Sequence, residues 1–231
     1  MRKRMIPALV CAALCVTALF SCVTAGGGSR PDGTELSPER EPDSARAYYD
    51  RGLERFGAKD YDGAAADFEK AAGLDGDYAE AYVGRGRVFI AKRDYDGAIA
   101  DFTRALKLSP DNAKVYISRG RAYSAKWNYI KAFEDFDKAA ALAPDDPDAY
   151  NGRGRTYAAR TKYREAFDDF EKAIALAPNS PEGYSNRGRA YASTKEREKA
   201  LADFERAMRL DGDYAEAYSN RGDLYSREED Y

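Results

Sequence analysis

The sequence has no histidine, only one tryptophan, and three cysteines that all fall within the first 22 residues. Without imidazole, Ser-His and Cys-His nucleophilic catalysis and histidine metal sites are excluded. Neither a P-loop nor a glycine-rich dinucleotide fingerprint occurs, so no cofactor is expected. Acidic residues are plentiful, but they recur at regular positions where a solvated face is the ordinary reading, and no enzyme is expected. Charge of one sign is also lacking: 37 Lys and Arg stand against 40 Asp and Glu. Without Arg2, Lys3 and Arg4 the balance is 34 against 40, too acidic for an overall electrostatic grip on nucleic acid.

The chain has one long apolar run, Met5 to Phe20, preceded by the basic tip and followed by Ser21 and Cys22. It is shorter than the roughly 20 residues a membrane-spanning helix needs and contains Pro7, so it reads as a secretory h-region. Its end, Leu19-Phe20-Ser21-Cys22, resembles the lipobox of bacterial lipoproteins. That resemblance implies acylation of Cys22, which becomes the first residue of the mature protein. Cys11 and Cys15 would be discarded with residues 1–22, leaving no disulfide or thiolate metal site. Residues 23–44, rich in Gly, Pro, Ser and charge, read as a flexible tether with a root-mean-square reach of about 26 Å.

From Ala45 a 34-residue pattern repeats without slipping. Copies span 45–78, 79–112, 113–146, 147–180 and 181–214, with a partial sixth at 215–231. Position 4 of every copy is Tyr (Tyr48, Tyr82, Tyr116, Tyr150, Tyr184, Tyr218) and position 8 is Gly (Gly52 through Gly222). Position 24 is Phe in the five complete copies, and positions 20 and 27 are Ala. Apolar residues at 4, 8 and 11 form one helical stripe and those at 20, 24 and 27 another, so each copy predicts two amphipathic helices. Starts are marked by Asp146 before Pro147 and Ser180 before Pro181, and inside copies by Asp60, Asp94 and Asn128. Position 32 (Gly76, Pro110, Pro144, Pro178, Gly212) marks the end of the second helix. A glycine inside a helix costs roughly 1 kcal/mol, so position 8 demands a close helix approach. Period, aromatics, Gly 8, Ala 20, Phe 24 and Ala 27 together resemble the tetratricopeptide repeat. The resemblance implies an all-α, right-handed α-solenoid of five complete copies plus one terminal helix.

Two arginine columns run through the copies. Position 7 is Arg51, Arg85, Arg119, Arg153, Arg187 and Arg221, and position 23 is Asp67, Asp101, Asp135, Asp169 and Asp203. Both lie beside the apolar stripes and predict structural ion pairs, most simply Arg85 with Asp101. Position 9 is Arg87, Arg121, Arg155 and Arg189, on the face that in this family lines the concave groove. Tyr49 at position 5 and Asn186 and Asn220 at position 6 share that face. Four guanidinium forks over small neighbours suit an acidic or C-terminal peptide segment. Equally, they could pair with Glu80, Asp148, Glu182 or Glu216 at position 2. Position 5 holds no Lys, so the carboxylate clamp for chaperone tails is not expected.

These readings describe a non-enzymatic scaffold, exported and lipid-anchored in the bacterial envelope, with the periplasmic face of the outer membrane favoured. Other proteins are its expected partners, through a peptide or helix segment, with the membrane reached through the anchor and no nucleic acid. A solute-handling accessory of a membrane transporter is the second reading, and an envelope enzyme the third. Trp127, in a helix-to-helix turn, is a candidate contact residue, and the sixth copy reads as a capping helix.

Overall fold

The computed structural model describes residues 43–229. Cys22 and the predicted signal segment lie outside the described residues, as does most of the predicted tether. Five pairs of antiparallel helices follow one another: α1 (Ala45–Gly57) with α2 (Tyr61–Leu74), α3 (Ala79–Ala91) with α4 (Tyr95–Leu108), α5 (Ala113–Ala125) with α6 (Tyr129–Leu142), α7 (Pro147–Ala159) with α8 (Tyr163–Leu176), and α9 (Pro181–Ser193) with α10 (Arg197–Leu210). A further helix, α11 (Ala215–Glu229), begins the sixth copy. Among the described residues there is no strand. Each second helix packs against the first helix of its own copy and the first helix of the next, the stacking expected of an all-α solenoid.

The core is the second stripe of each copy. Ala at 20, Phe at 24 and Ala at 27 are all at most 1% exposed in the five complete repeats. Each Phe ring is set against two positions, the first always without a side chain and the second small in the first three cases and Asn in the last two. Position 8 of its own repeat is Gly, and position 6 of the following repeat is Gly84, Ser118, Gly152, Asn186 or Asn220. A Cβ added at Gly86 would come within 2.7 Å of the Phe102 ring, and one at Gly84 within 2.6 Å of Phe68. The glycines are therefore the space the rings occupy.

Local chemistry sets the helix ends. Asp60, Asp94 and Asn128 accept backbone N–H bonds from Gly63, Gly97 and Lys131. Asp146 does the same for α7 from Asp148 N. Ser180 departs from expectation. It holds an N-cap backbone conformation before Pro181, but its hydroxyl accepts no amide. Between copies, Tyr82, Tyr150 and Tyr184 donate their hydroxyls to the position 32 carbonyls of Gly76, Pro144 and Pro178. The turn inside each copy places a non-glycine residue in the left-handed region at position 15: Lys59, Arg93, Trp127, Thr161 and Lys195, with φ between 59° and 64°.

Gly86→Ala should gain about 1 kcal/mol in helix propensity and lose about 1–3 kcal/mol by overpacking a fully buried ring, for a net loss of stability. Gly73→Ala, with nothing within 4 Å of the added carbon, should gain up to about 1 kcal/mol. Chemical denaturation of the two variants checks both signs.

Candidate functional site

In the five complete repeats position 7 faces the second helix of its own repeat, and each arginine there meets the position 23 aspartate sixteen residues on. The shortest N···O distances are 2.6 Å for Arg51–Asp67, 2.8 Å for Arg85–Asp101, 2.7 Å for Arg119–Asp135, 2.7 Å for Arg153–Asp169 and 2.8 Å for Arg187–Asp203. Every pair is a two-pronged fork through Nε and Nη2, the geometry that makes Arg–carboxylate bonds strong and directional. The hydrogen bond to its Asp is the main reason the Arg85, Arg119 and Arg187 guanidiniums sit above their ordinary pKa. In the third and fourth repeats the remaining nitrogen reaches the preceding repeat: Arg119 Nη1 donates to Thr103 Oγ1 at 3.1 Å, and Arg153 Nη1 to Asp137 Oδ1 at 2.6 Å.

Sequence reasoning did not assign the aromatic setting of these forks. Each position 7 guanidinium, Arg221 included, lies within 6.0 Å of the ring of the position 4 Tyr. Arg85, Arg119 and Arg187 also lie 5.9 Å from the position 11 rings of Phe89, Tyr123 and Tyr191. Positions 4, 7 and 11 are spaced by three and four residues, which puts them side by side on one helix face. That spacing was the available signal. This column is structural, and it leaves the opposite face of the first helices clear of the forks.

On that face the position 9 arginines are exposed and fall into two kinds. Arg121 pairs with Asp148 at 3.3 Å and Glu182 at 3.7 Å, and Arg189 with Glu216 at 3.4 Å. These join one repeat to position 2 of the next, and Arg121 reaches the one after that as well. Among the described residues, Arg87 and Arg155 make no ion pair. For Arg87 the cause is in the sequence: position 2 of the next copy is Lys114 instead of an acid, and the guanidinium lies 5.1 Å from the Phe56 ring. Glu182 sits among Arg121, Arg155, Asp148 and Glu216, and burial raises its carboxyl above the usual range despite both arginines. Burial and the adjacent Glu216 likewise raise Tyr214, whose hydroxyl donates to Glu216 at 3.1 Å.

Asn186, Asn220 and Tyr49 occupy different settings from the arginines. Asn186 is 3% exposed and faces Asn151 Oδ1 with its amide at 3.5 Å, while Asn220 donates to Ser185 Oγ at 3.1 Å. Both amides tie position 6 of one repeat to position 5 of the one before, because the floor between first helices is too close-packed to leave them free. Tyr49 is half-buried, its ring 5.6 Å from Phe68 and 5.3 Å from Tyr78. Three separate clefts follow the face. One of about 470 Å³ is walled by Val83, Arg87, Lys114, Ile117, Arg121 and Asp148. One of about 360 Å³ has Arg155, Arg189, Asn186 and Phe170, and one of about 200 Å³ has Arg189, Asn220 and Leu224. The face changes character along the array, from apolar Val83 and Ile117 at position 5 to polar Asn151 and Ser185.

Two outcomes follow. Arg85→Met leaves Asp101, 6% exposed, without its partner and should lose about 3 kcal/mol; adding Asp101→Leu should recover most of that loss, since a well-packed apolar pair can replace a buried ion pair. A double-mutant cycle by denaturation measures it. For Glu182 the folded pKa is raised, so its carboxyl favours folding below the ordinary value of 4.5 and opposes it progressively as pH rises through the folded pKa. Glu182→Gln should therefore raise the melting temperature by roughly 1–3 °C at neutral pH, with the gain vanishing below the ordinary carboxyl range in a pH series.

Comparison with known proteins agrees with this architecture. Models of the tetratricopeptide repeat match residues 49–113, 113–146, 154–195 and 188–228. Among curated protein sequences, none matches the chain significantly. Among solved structures, the chain is similar to YrrB, described as a TPR protein with an unusual peptide-binding site, at 26% identity and TM-score 0.54, covering 78% of this chain and 92% of that one. It is similar in fold to the thermophilic TPR protein TTC0263 of Thermus thermophilus (19% identity, TM-score 0.71, 79% and 99% covered). It also shares its fold with PilW, a widely conserved type IV pilus biogenesis factor (20% identity, TM-score 0.65, 79% and 92% covered). With a 34-residue period, paired helices stacked through their second members and family models along most of its length, the chain belongs to the tetratricopeptide repeat family.

Proposed function

We propose that the chain is a non-enzymatic scaffold that receives a segment of another protein along the face of its first helices, while a lipid on Cys22 holds it in the bacterial envelope. The observation that carries the first part is the string of separate clefts on that face, two of them holding Arg87 and Arg155, which make no ion pair among the described residues. Shallow clefts spaced along a curved array suit an extended or helical segment that engages at several points; they do not suit one enclosed small molecule. Arg87 with Lys114, beside Val83 and Ile117, favours a carboxylate flanked by an apolar side chain. Farther along, the Arg121–Glu182 and Arg189–Glu216 pairs offer both signs to a polar segment. The peptide-binding site ascribed to YrrB supports the same reading. A tether would confine the search to one membrane surface and raise the effective concentration of partners there. Assembly of an envelope complex is the process this arrangement serves best.

The test is in-cell crosslinking of the full chain beside an Arg87→Glu/Arg155→Glu variant with unchanged helicity. A partner captured by the wild type and lost from the variant is the expected result, and identical partners from both would overturn the groove reading. In the same cells, a fatty-acid label should enter the wild type and be absent from Cys22→Ser; labelling that survives the substitution would overturn the anchor.

A further inference from the structure

The turns between the two helices of each repeat line up along one edge of the array, and that edge changes character halfway. In the first two repeats, positions 16 and 18 are aspartates: Asp60, Asp62, Asp94 and Asp96. Asp60 and Asp94 cap their helices, while Asp62 and Asp96 receive Lys92 and Lys126 from position 14 of the following repeat. The third repeat replaces them with Asn128 and Ile130, the fourth with Lys162 and Arg164, and the fifth returns to acids, Glu196 and Glu198. Arg160 takes the place of Lys92 and Lys126, and Ile130 that of the carboxylate they meet; the Arg160 guanidinium lies 5.9 Å from the Tyr129 ring.

Three local rules are broken here. Trp127 is 79% exposed and Ile130 72% exposed, which strands two large apolar side chains in water. Lys162 stands at the N-cap of α8 with no side-chain cap bond, and it and Arg164 put positive charge where the helix dipole disfavours it. Lys162 is 3.8 Å from Glu165 and Lys131 Nζ is 5.4 Å from the Tyr123 ring. Clustered violations of local preference mark a site kept for another purpose.

We propose that this edge, Trp127 and Ile130 together with Lys131, Arg160, Lys162 and Arg164 of the same and the following repeat, docks on an anionic phospholipid surface. The chemistry matches on both counts. Tryptophan settles at the boundary between headgroups and acyl chains, and basic side chains beside it are drawn to anionic headgroups. The two apolar residues project from a turn edge and not from a cleft, so they can enter a soft interface without a shaped pocket. Among the described residues no helix is long and apolar enough to cross a membrane, and this contact is peripheral. It is independent of the groove and of the lipid on Cys22, and it would hold the array with one edge against the bilayer.

Trp127 is the only tryptophan of the chain, so its fluorescence reports this edge alone, whatever else binds the vesicles. The full chain is mixed with phosphatidylglycerol vesicles carrying brominated acyl chains. A blue shift with bromine quenching is expected, absent with phosphatidylcholine vesicles and suppressed by salt. Reversing Lys131, Arg160, Lys162 and Arg164 to Glu should lower this partition roughly a hundredfold or more with helicity unchanged. Water-like, unquenched emission from protein that sediments with the vesicles would overturn the proposal, as would equal quenching in phosphatidylcholine. A blue shift with polyglutamate but not with vesicles would also overturn it, by assigning the edge to an acidic protein partner.

Discussion

The seating of each position 24 phenylalanine between position 8 of its own repeat and position 6 of the next is the constraint on which the array depends. A ring at most 1% exposed, pressed against the backbones of two helices, sets both the spacing inside a repeat and the step to the following one. Because the helices of each repeat pack on those of its neighbours, the same contact repeated five times builds a stack whose stability grows copy by copy. The alanines at 20 and 27 are the corollary: one turn either side of the ring, anything larger would hold the helices apart.

The Arg–Asp forks do a different job from the rings. Taking two charges out of water is expensive, and a fork only offsets that cost when its geometry is good. Here it is good in all five complete repeats, with aromatic rings covering the guanidinium. A bidentate bond is sensitive to sliding and rotation in a way that a ring in a smooth slot is not. The forks therefore fix the register of the two helices, and the extra bonds from Arg119 to Thr103 and from Arg153 to Asp137 carry that register across to the preceding repeat.

With the core and register held by positions 4, 7, 8, 20, 23, 24 and 27, the remaining positions can vary without endangering the fold. On the groove they vary at positions 2 and 5, where Lys114 interrupts a run of acids and Asn151 follows Val83 and Ile117. On the turn edge they vary at 15, 16 and 18, where Trp127, Ile130, Lys162 and Arg164 replace polar or acidic residues. The third and fourth repeats thus differ from the first two on two surfaces at once, while their cores are nearly superimposable in sequence.

The sequence alone determined the helix pairs, their order, the buried Ala and Phe of the second stripe and the partner of position 7 in the five complete copies. Those follow from spacing within a single period, and a period of 34 repeated in register leaves one consistent assignment. The left-handed residue at position 15 was not legible, because Lys, Arg, Trp and Thr carry no turn signature and the conformation is imposed by the two helices closing on each other. The acids at position 2 were legible as partners for position 9, and Lys114 accounts for Arg87, but not which arginine takes which acid: Arg121 bonds to Asp148 and Glu182, and Arg189 to Glu216. Those choices depend on the rise and rotation from one repeat to the next, which bring residues 27 and 61 apart within reach of one guanidinium. Tertiary structure alone decided them, since a distance set by stacking is not written in the spacing of any one copy.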